Sequence, residues 1–390
     1  MKKIIFILIA LALISFSCKK SETTTPTPAI TTPTTPSNVY SVLHQFNGTG
    51  GMNPIGNLII SGNVLYGMAY GGGAYGDGMI FSINTDSTGF KDMFDFNQTN
   101  GWEPQGDLTL SGTVLYGMTR QGGTYGEGVI FSINTNGSNF NVLYNFGNTS
   151  AGGIYPGGSL TISGGVMYGT TESGGVNGEG NIFSINTNGT GYTDIFDFNG
   201  TNGDSPFPYS GSLVLANGVL YGTTYLGGSN NDGVVYSVKT NGTGYKELVT
   251  FNGTNGENPD GAVMLSGGTL YGMASAGGAN GAGNIYSVDT NGSGFKDMLD
   301  FNTTNGTTPD GSLIISGSTL YGMTSGGGTI GGVIFSIGTS GSANTILYKL
   351  GLNSDGAFPE GSLLYSRGAL YGMTNSGGKY SYGTIFKFTL

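Results

Sequence analysis

Side chains able to do acid or base chemistry are few in this chain, and they repeat. Asp77, Glu127, Glu179 and Asp232 each stand one residue before a Gly that opens an apolar run, and Asp260, Asp310 and Glu360 each precede the Gly that heads another. Paired carboxylates are the machinery of glycoside hydrolysis. Yet Ala282 and Gly331 fill the first set's place in two further copies. A residue that recurs with the repeat more often has a recurring structural role, such as accepting backbone N–H bonds. Ser-His-Asp catalysis needs an imidazole base, and His44 is the only histidine. Its apolar neighbours give it a structural place in an edge strand. One Cys and one His cannot assemble a zinc or iron site. The run Asp197-Phe198-Asn199-Gly200-Thr201-Asn202-Gly203 alternates oxygen ligands as calcium loops do, but its Gly falls one place late and no bidentate Glu follows. No cofactor and no metal are expected, with calcium as the alternative.

Recognition by aromatic faces has more candidates. Tyr70, Tyr75, Trp102, Arg120, Tyr125, Tyr155, Phe207, Tyr209, Tyr225, Lys379, Tyr380 and Tyr382 all lie where the sequence stops repeating. A ring of aromatics with few charges suits sugar stacking or a protein contact. The competing reading is that these rings pack down onto neighbouring loops.

What positions them is a repeat written seven times. Tyr66, Tyr116, Tyr168, Tyr221, Tyr271, Tyr321 and Tyr371 each sit in a Leu-Tyr-Gly or Met-Tyr-Gly run and recur about every 50 residues. One unit holds four short runs of strand character: Asp92–Phe96, Asp107–Leu110, Val114–Met118 and Val129–Ile133. Each is rich in β-branched and aromatic residues and is closed by Gly, Asn or Pro. No window has helical periodicity with caps. Four strands per unit in seven units predict an all-β fold, a seven-bladed β-propeller of four-stranded blades. The run Tyr40–Phe46 aligns with the last strand of a unit, and the chain finishes at Thr384–Phe388 one strand short. The N-terminal strand is therefore expected to complete the last blade, hiding both sheet edges.

Calling the strands of a unit a to d, the a–b and c–d links are short, while the b–c loop (119–128) and the d–a loop (97–106) are long. In an antiparallel blade both long loops fall on one face of the disc. Length variation, at 147–158 and 199–211, also falls in d–a loops, with strand lengths expected to hold constant. Loops on a rigid scaffold commonly carry function, so the binding residues are expected on this face.

Leu220-Tyr221-Gly222-Thr223-Thr224 with Gly227-Gly228, the Phe251–Gly261 segment, and Gly383-Thr384-Ile385-Phe386-Lys387 resemble the bacterial tandem repeat called GloVer across residues 40–390. The resemblance implies surface-displayed repeat proteins with varied anchors and no established chemistry, so it carries over no catalytic residue. Met replaces the first Thr after Tyr-Gly in five repeats, and Ile and Val alternate in the Gly-Val-Phe position.

Composition fits that setting. The chain has 390 residues, 76 of them Gly, with 9% charged residues and a net charge of −10. Without basic clusters in the body, no nucleic-acid partner is expected. Met1-Lys2-Lys3, an apolar run from Ile4 to Ile14 and a small residue before Cys18 form a secretory signal too short to span a bilayer. The placement of the lone Cys resembles a bacterial lipobox, which implies lipidation of Cys18. The expected organisation is a signal peptide at 1–17, a lipidated Cys and Thr/Pro-rich tether at 18–37, and a seven-repeat propeller at 38–390. The expected protein is a monomeric, non-enzymatic lipoprotein, held in the outer membrane or at the cell surface through Cys18. It would bind a protein or matrix partner through its loop-rich face. The alternative is a carbohydrate-binding module using the loop aromatics, and a polysaccharide hydrolase or lyase ranks third.

Overall fold

The computed structural model describes residues 38–149, 152–206 and 212–390; the signal peptide, Cys18 and the tether lie outside them. Among the described residues there is no helix, and the strands form seven four-stranded antiparallel sheets. After β1 (Val39–Gln45), blade 1 runs β2 (Ile59–Ser61), β3 (Val64–Ala69), β4 (Met79–Asn84) and β5 (Lys91–Asp95). These four are strands a, b, c and d, and the pattern recurs in every blade.

The Leu-Tyr-Gly signature is explained by cross-strand packing. Gly67 on strand b lies opposite Phe81 on strand c, and a Cβ on Gly67 would fall 2.6 Å from the ring of Phe81. The same fit recurs from Gly117 with Phe131 to Gly372 with Phe386. The glycine makes room for a fully buried ring. That ring in turn meets, edge to face, the aromatic at the end of the preceding blade's strand d. Phe46 meets Phe81 at 5.4 Å and Phe96 meets Phe131 at 5.2 Å. Such pairs add about 0.5–1.5 kcal/mol beyond burial. The hydrophobic core is accordingly not one mass but seven clusters, such as the one joining Phe46, Leu58 and Phe81 to Tyr371, Met373 and Ile385.

The ring closes as the sequence predicts. β1 pairs with the final strand (Thr384–Thr389), from Val39 opposite Thr389 to Gln45 opposite Thr384. Farther out, flat stacks bridge neighbouring blades: His44 on Phe90 at 3.7 Å, Phe94 on Phe140 at 3.7 Å and Tyr40 on Tyr348 at 4.1 Å. His44 is thus a structural ring, and burial lowers its pKa to about 4.

Strand a is innermost, and a cavity of about 330 Å3 on the axis is lined by strand-a residues such as Ile59, Val214, Met264 and Ile314. At its loop-rich end the residue after the unit's Gly bonds to the next blade at five of the seven junctions among the described residues. Asn57 N donates to Asp107 Oδ1 (2.5 Å), Asp107 N to Ser159 Oγ (3.0 Å), Ala262 N to Ser312 Oγ (2.8 Å) and Ser312 N to Ser362 Oγ (2.6 Å). Ser362 N donates to Asn57 Oδ1 and joins blade 7 to blade 1.

Strand lengths do not hold constant. In blade 3, strand a runs Gly153–Ser163 and strand b runs Val166–Gly174, against three and six residues in blade 1. The two-residue insertion lets the d–a loop pair continuously with strand b, from Gly153 opposite Gly174, through a bulge between Gly157 and Thr161. Other blades make only an isolated pair there, Met52 with Gly71 or Trp102 with Gln121.

Candidate functional site on the loop-rich face

Six of the seven d–a loops end in a residue–Pro–residue–Gly turn, the fourth has Ser205-Pro206 at the corresponding place, and in all seven the residue before the Pro is left-handed. Asn53, Glu103, Tyr155, Ser205, Asn258, Thr308 and Phe358 have φ between 49° and 56°. Such a conformation is unfavourable for residues with a Cβ, most of all the β-branched Thr308. Backbone hydrogen bonds on both sides hold it. Asn258 N donates to Asp232 O of the preceding blade (2.9 Å), and Ser275 N donates to Asn258 O (3.0 Å). Strain of this kind often marks functional sites. Here it recurs seven times and serves blade joining.

The same bonds assign the first carboxylate set. At Asp77, Glu127, Glu179 and Asp232 the recurring contact is the main-chain carbonyl, which accepts the N–H of Glu103, Tyr155, Ser205 and Asn258. Ala282 and Gly331 serve Thr308 and Phe358 equally well. The side chain is incidental to the repeat. The carboxylate that does accept backbone N–H bonds ends strand d: Asp95 takes Ala74 N (2.9 Å), Asp197 takes Val176 N (2.8 Å) and Asp300 takes Ala279 N (2.7 Å). In the calcium-like loop, Asn199 Oδ1 accepts Asn202 N and Asn202 Oδ1 accepts Asn199 N. Those oxygens are spent on the turn. Among the described residues no three His, Cys, Asp or Glu side chains group as a metal site.

The second set lies at the channel mouth on blades 5, 6 and 7. Burial raises Asp310 to about 6 against a hydrogen bond with Ser325, and burial followed by the charge of Asp310 raises Glu360 to about 7. Below them Asp107, deep in the protein but with one face on the channel, is lifted by burial to about 6. Each acid holds its proton more tightly folded than unfolded, so stability is full below about pH 4 and falls as pH rises through 6 to 7. Water reaches these groups, so the loss is on the order of 1 kcal/mol each. His44, lowered to about 4, works in the opposite direction over the same range, so the readout is the difference between proteins: from pH 5 to pH 7.5 the melting midpoint of Glu360→Gln should fall less, or rise more, than that of the wild type. An unchanged slope in the variant, by calorimetry, would refute the assignment.

The expected aromatic set divides by radius. Tyr70, Arg120 and Tyr225 are equivalent residues just past strand b, near the axis, and all are partly buried. Arg120 donates to Glu172 Oε2 (2.7 and 2.9 Å), lies 3.7 Å from Glu103 and sits over the Tyr155 ring at 4.9 Å. The neighbouring Glu127 carboxylate raises the Tyr155 pKa. Tyr225 faces Asp260, Asp310 and Glu257; its pKa is raised by burial first and by their charge second. Farther out, Tyr75, Tyr125, Tyr380 and Tyr382 are 64%, 54%, 45% and 38% exposed. Lys379 Nζ lies 4.9 Å from the Tyr380 ring, and Tyr382 packs near Gly48. Phe207 and Tyr209 lie outside the described residues.

Three of these tyrosines share one loop position. Tyr75, Tyr125, Asn177, Asn230, Asn280 and Tyr380 occupy it at the b–c tips of blades 1 to 5 and 7; in blade 6, whose loop is one residue shorter, Thr329 makes the equivalent bond, Oγ1 to Leu350 O (3.3 Å), and Ile330 follows it at the tip. Asn177, Asn230 and Asn280 fold back and donate Nδ2 to Phe198 O, Phe251 O and Phe301 O at 2.8–2.9 Å. Ile330, Tyr380, Tyr75 and Tyr125 project into solvent on neighbouring blades 6, 7, 1 and 2. The rim is thus half amide and half apolar. Ile330, the exposed Val176 and Leu352, and the glutamines beside Trp102 went unnoticed in a sequence reading confined to aromatic and charged residues. Aligning the tips blade by blade reveals them.

Trp102 is partly exposed over a groove of about 590 Å3 with Gln98, Thr99, Gln121 and Thr124.

Comparison with known proteins now decides the family. The Gloeobacter/Verrucomicrobia repeat matches residues 29–211 and 207–390. The chain belongs to that family. No curated protein matches it. Among solved structures it is similar to oligogalacturonate lyase from Vibrio parahaemolyticus at 8% identity and TM-score 0.57, covering 90% of this chain and 93% of that one. It is also similar to the GH74 enzyme of Niastella koreensis at 16% identity and TM-score 0.52, covering 79% of this chain and 46% of that one. At such identities the likeness is one of fold alone, and this repeat protein spans less than half of the second.

Proposed function

We propose that this repeat protein is a surface-anchored, non-enzymatic lipoprotein whose propeller holds a protein or matrix partner on its loop-rich face. The observation that carries the reading is the apolar half-rim, Ile330, Tyr380, Tyr75 and Tyr125 exposed on four consecutive blades. Contiguous exposed apolar residues on a soluble scaffold mark interaction surfaces, and tyrosines combine an apolar body with a polar tip. A binding role also agrees with the bonding of the side chains considered for catalysis. His44 is a stacking ring, and the first carboxylate set recurs for its main-chain carbonyls.

The test compares what the immobilised wild-type propeller and the triple variant Tyr75→Ser, Tyr125→Ser, Tyr380→Ser retain from the surface material of the producing cells. Retention should be lost in the variant at an unchanged melting midpoint; equal retention would sink the reading. In the same cells Cys18→Ser should move the protein from the membrane to the soluble fraction, and persistence in the membrane would remove the anchor.

A further inference from the structure

Blade 2 departs from the repeat at three positions that the fold brings together. Trp102 stands where the other blades have Met52, Ile154, Asp204, Glu257, Thr307 and Ala357, none of them aromatic. Its pairing partner Gln121 is matched elsewhere only by Gly, Ser, Ala or Leu226. Gln98 stands where the other blades have Gly48, Asn148, Gly200, Gly253, Thr303 and Leu352. A blade needs none of these side chains, since the same backbone pairs form without them.

Trp102 N donates to Gln121 O (2.8 Å) and Gln121 N to Trp102 O (3.0 Å), which sets the two residues directly opposite one another. Gly123 N donates to Gln98 O (2.8 Å) and fixes the third. The floor between them is glycine: a Cβ on Gly122 would fall 2.8 Å from Gln98 O and Trp102 N, and one on Gly123 would fall 2.5 Å from Val129. Behind the groove, Gln121 Nε2 donates to Glu103 Oε2 (3.0 Å), which fixes that end of the amide and leaves Oε1 as its acceptor. Glu103 in turn lies 3.7 Å from Arg120.

We propose that this groove is a subsite for a neutral sugar ring of an oligosaccharide. The Trp102 indole stacks on the C–H face of the ring, and the amides of Gln98 and Gln121 bond its hydroxyls. An apolar aromatic wall with a few fixed polar groups is the usual make-up of a small-ligand site, and indole gives a large flat contact at low entropic cost. No lining residue is charged. Arg120, the nearest cation in the hydrogen-bond network, is ion-paired to Glu172, and the chain carries a net charge of −10. Acidic sugars and nucleotides are therefore disfavoured. The inference rests on the loop-rich face being the recognition face, and not on the tyrosine half-rim.

Trp102 is the only tryptophan in the chain, so emission excited selectively at tryptophan reports this groove alone. The full mature protein is titrated with cellohexaose, xylohexaose, mannohexaose, maltohexaose and, as the acidic arm, hexagalacturonate. At least one neutral probe should give a saturable emission change, weakened tenfold or more in Gln98→Ala and Gln121→Ala, which keep the fluorophore. Calorimetry should show the same loss in Trp102→Ala, and the tyrosine triple variant should bind as wild type. No change with any neutral sugar, a change with hexagalacturonate alone, or a change indifferent to both glutamines would overturn the proposal. Any of those results, together with partner retention that still needs the tyrosines, would leave the half-rim reading standing.

Discussion

Removal of residues 38–46 is expected to convert a soluble, cooperatively melting ring into an aggregating chain. β1 is the only partner on the outer side of the final strand, whose Ile385, Phe386 and Phe388 are buried. Phe46 is fully buried against Phe81, its N–H is bonded to Gly383 O at 3.1 Å, and Tyr40 stacks between Tyr348 and Phe386. Losing a buried Phe alone costs about 3–5 kcal/mol, and domains of ordinary stability have about 5–15 kcal/mol in all. Deletion also strips Tyr40, His44 and six cross-strand pairings, so the blade-7 interface fails on both sides. What remains is an unpaired strand edge, which templates association. Gel filtration and calorimetry of the truncated chain should show aggregates without the native transition. A synthetic peptide of residues 38–46 added during refolding should restore part of the monomer. A soluble truncated monomer with an unchanged melting midpoint would refute ring closure through β1.

How much of this was legible in the sequence differs between scaffold and site. The blade count, the strand order and the closing role of Tyr40–Phe46 were legible, because each repeat restates the same apolar runs and turn glycines. The tyrosines at the loop tips were legible as departures from the repeat. The carboxylate positions were not, because their recurring partner is the main-chain carbonyl, to which the side chains of Asp77 and Ala282 contribute nothing. Constant strand length was also a false expectation: in blade 3 two inserted residues extend pairing where other blades leave a gap. The division of the rim was hidden for a further reason. Asn280 and Tyr380 hold the same loop position, and only the bond from Asn280 Nδ2 to Phe301 O shows that one is tied down while the other is exposed.

The glycines around the axis make the second large expectation. A Cβ on Gly106 would stand 1.6 Å from the carbonyl oxygen of Gly158 in the next blade, and one on Gly56 would stand 2.4 Å from Gly106 O. The contact is backbone to backbone, so no side chain can rotate away. Gly106→Ala must instead push blades 2 and 3 apart at the narrowest radius. There Asp107 N and Ser159 Oγ share a hydrogen bond and Asn57 is held to Asp107 by two more. In a closed ring a wedge at one interface compresses the other six. The expected cost is about 4 kcal/mol or more, in the range reserved for a disrupted core, seen as a melting midpoint lowered by roughly 10 °C or as no folded protein. Gly112→Ala is the matched control. Its φ is +63° with nothing within 4 Å of the added carbon, so it bears only the left-handed penalty of about 1 kcal/mol. If Gly106→Ala melts as close to wild type as Gly112→Ala does, the glycines are not what sets the spacing of the blades around the axis.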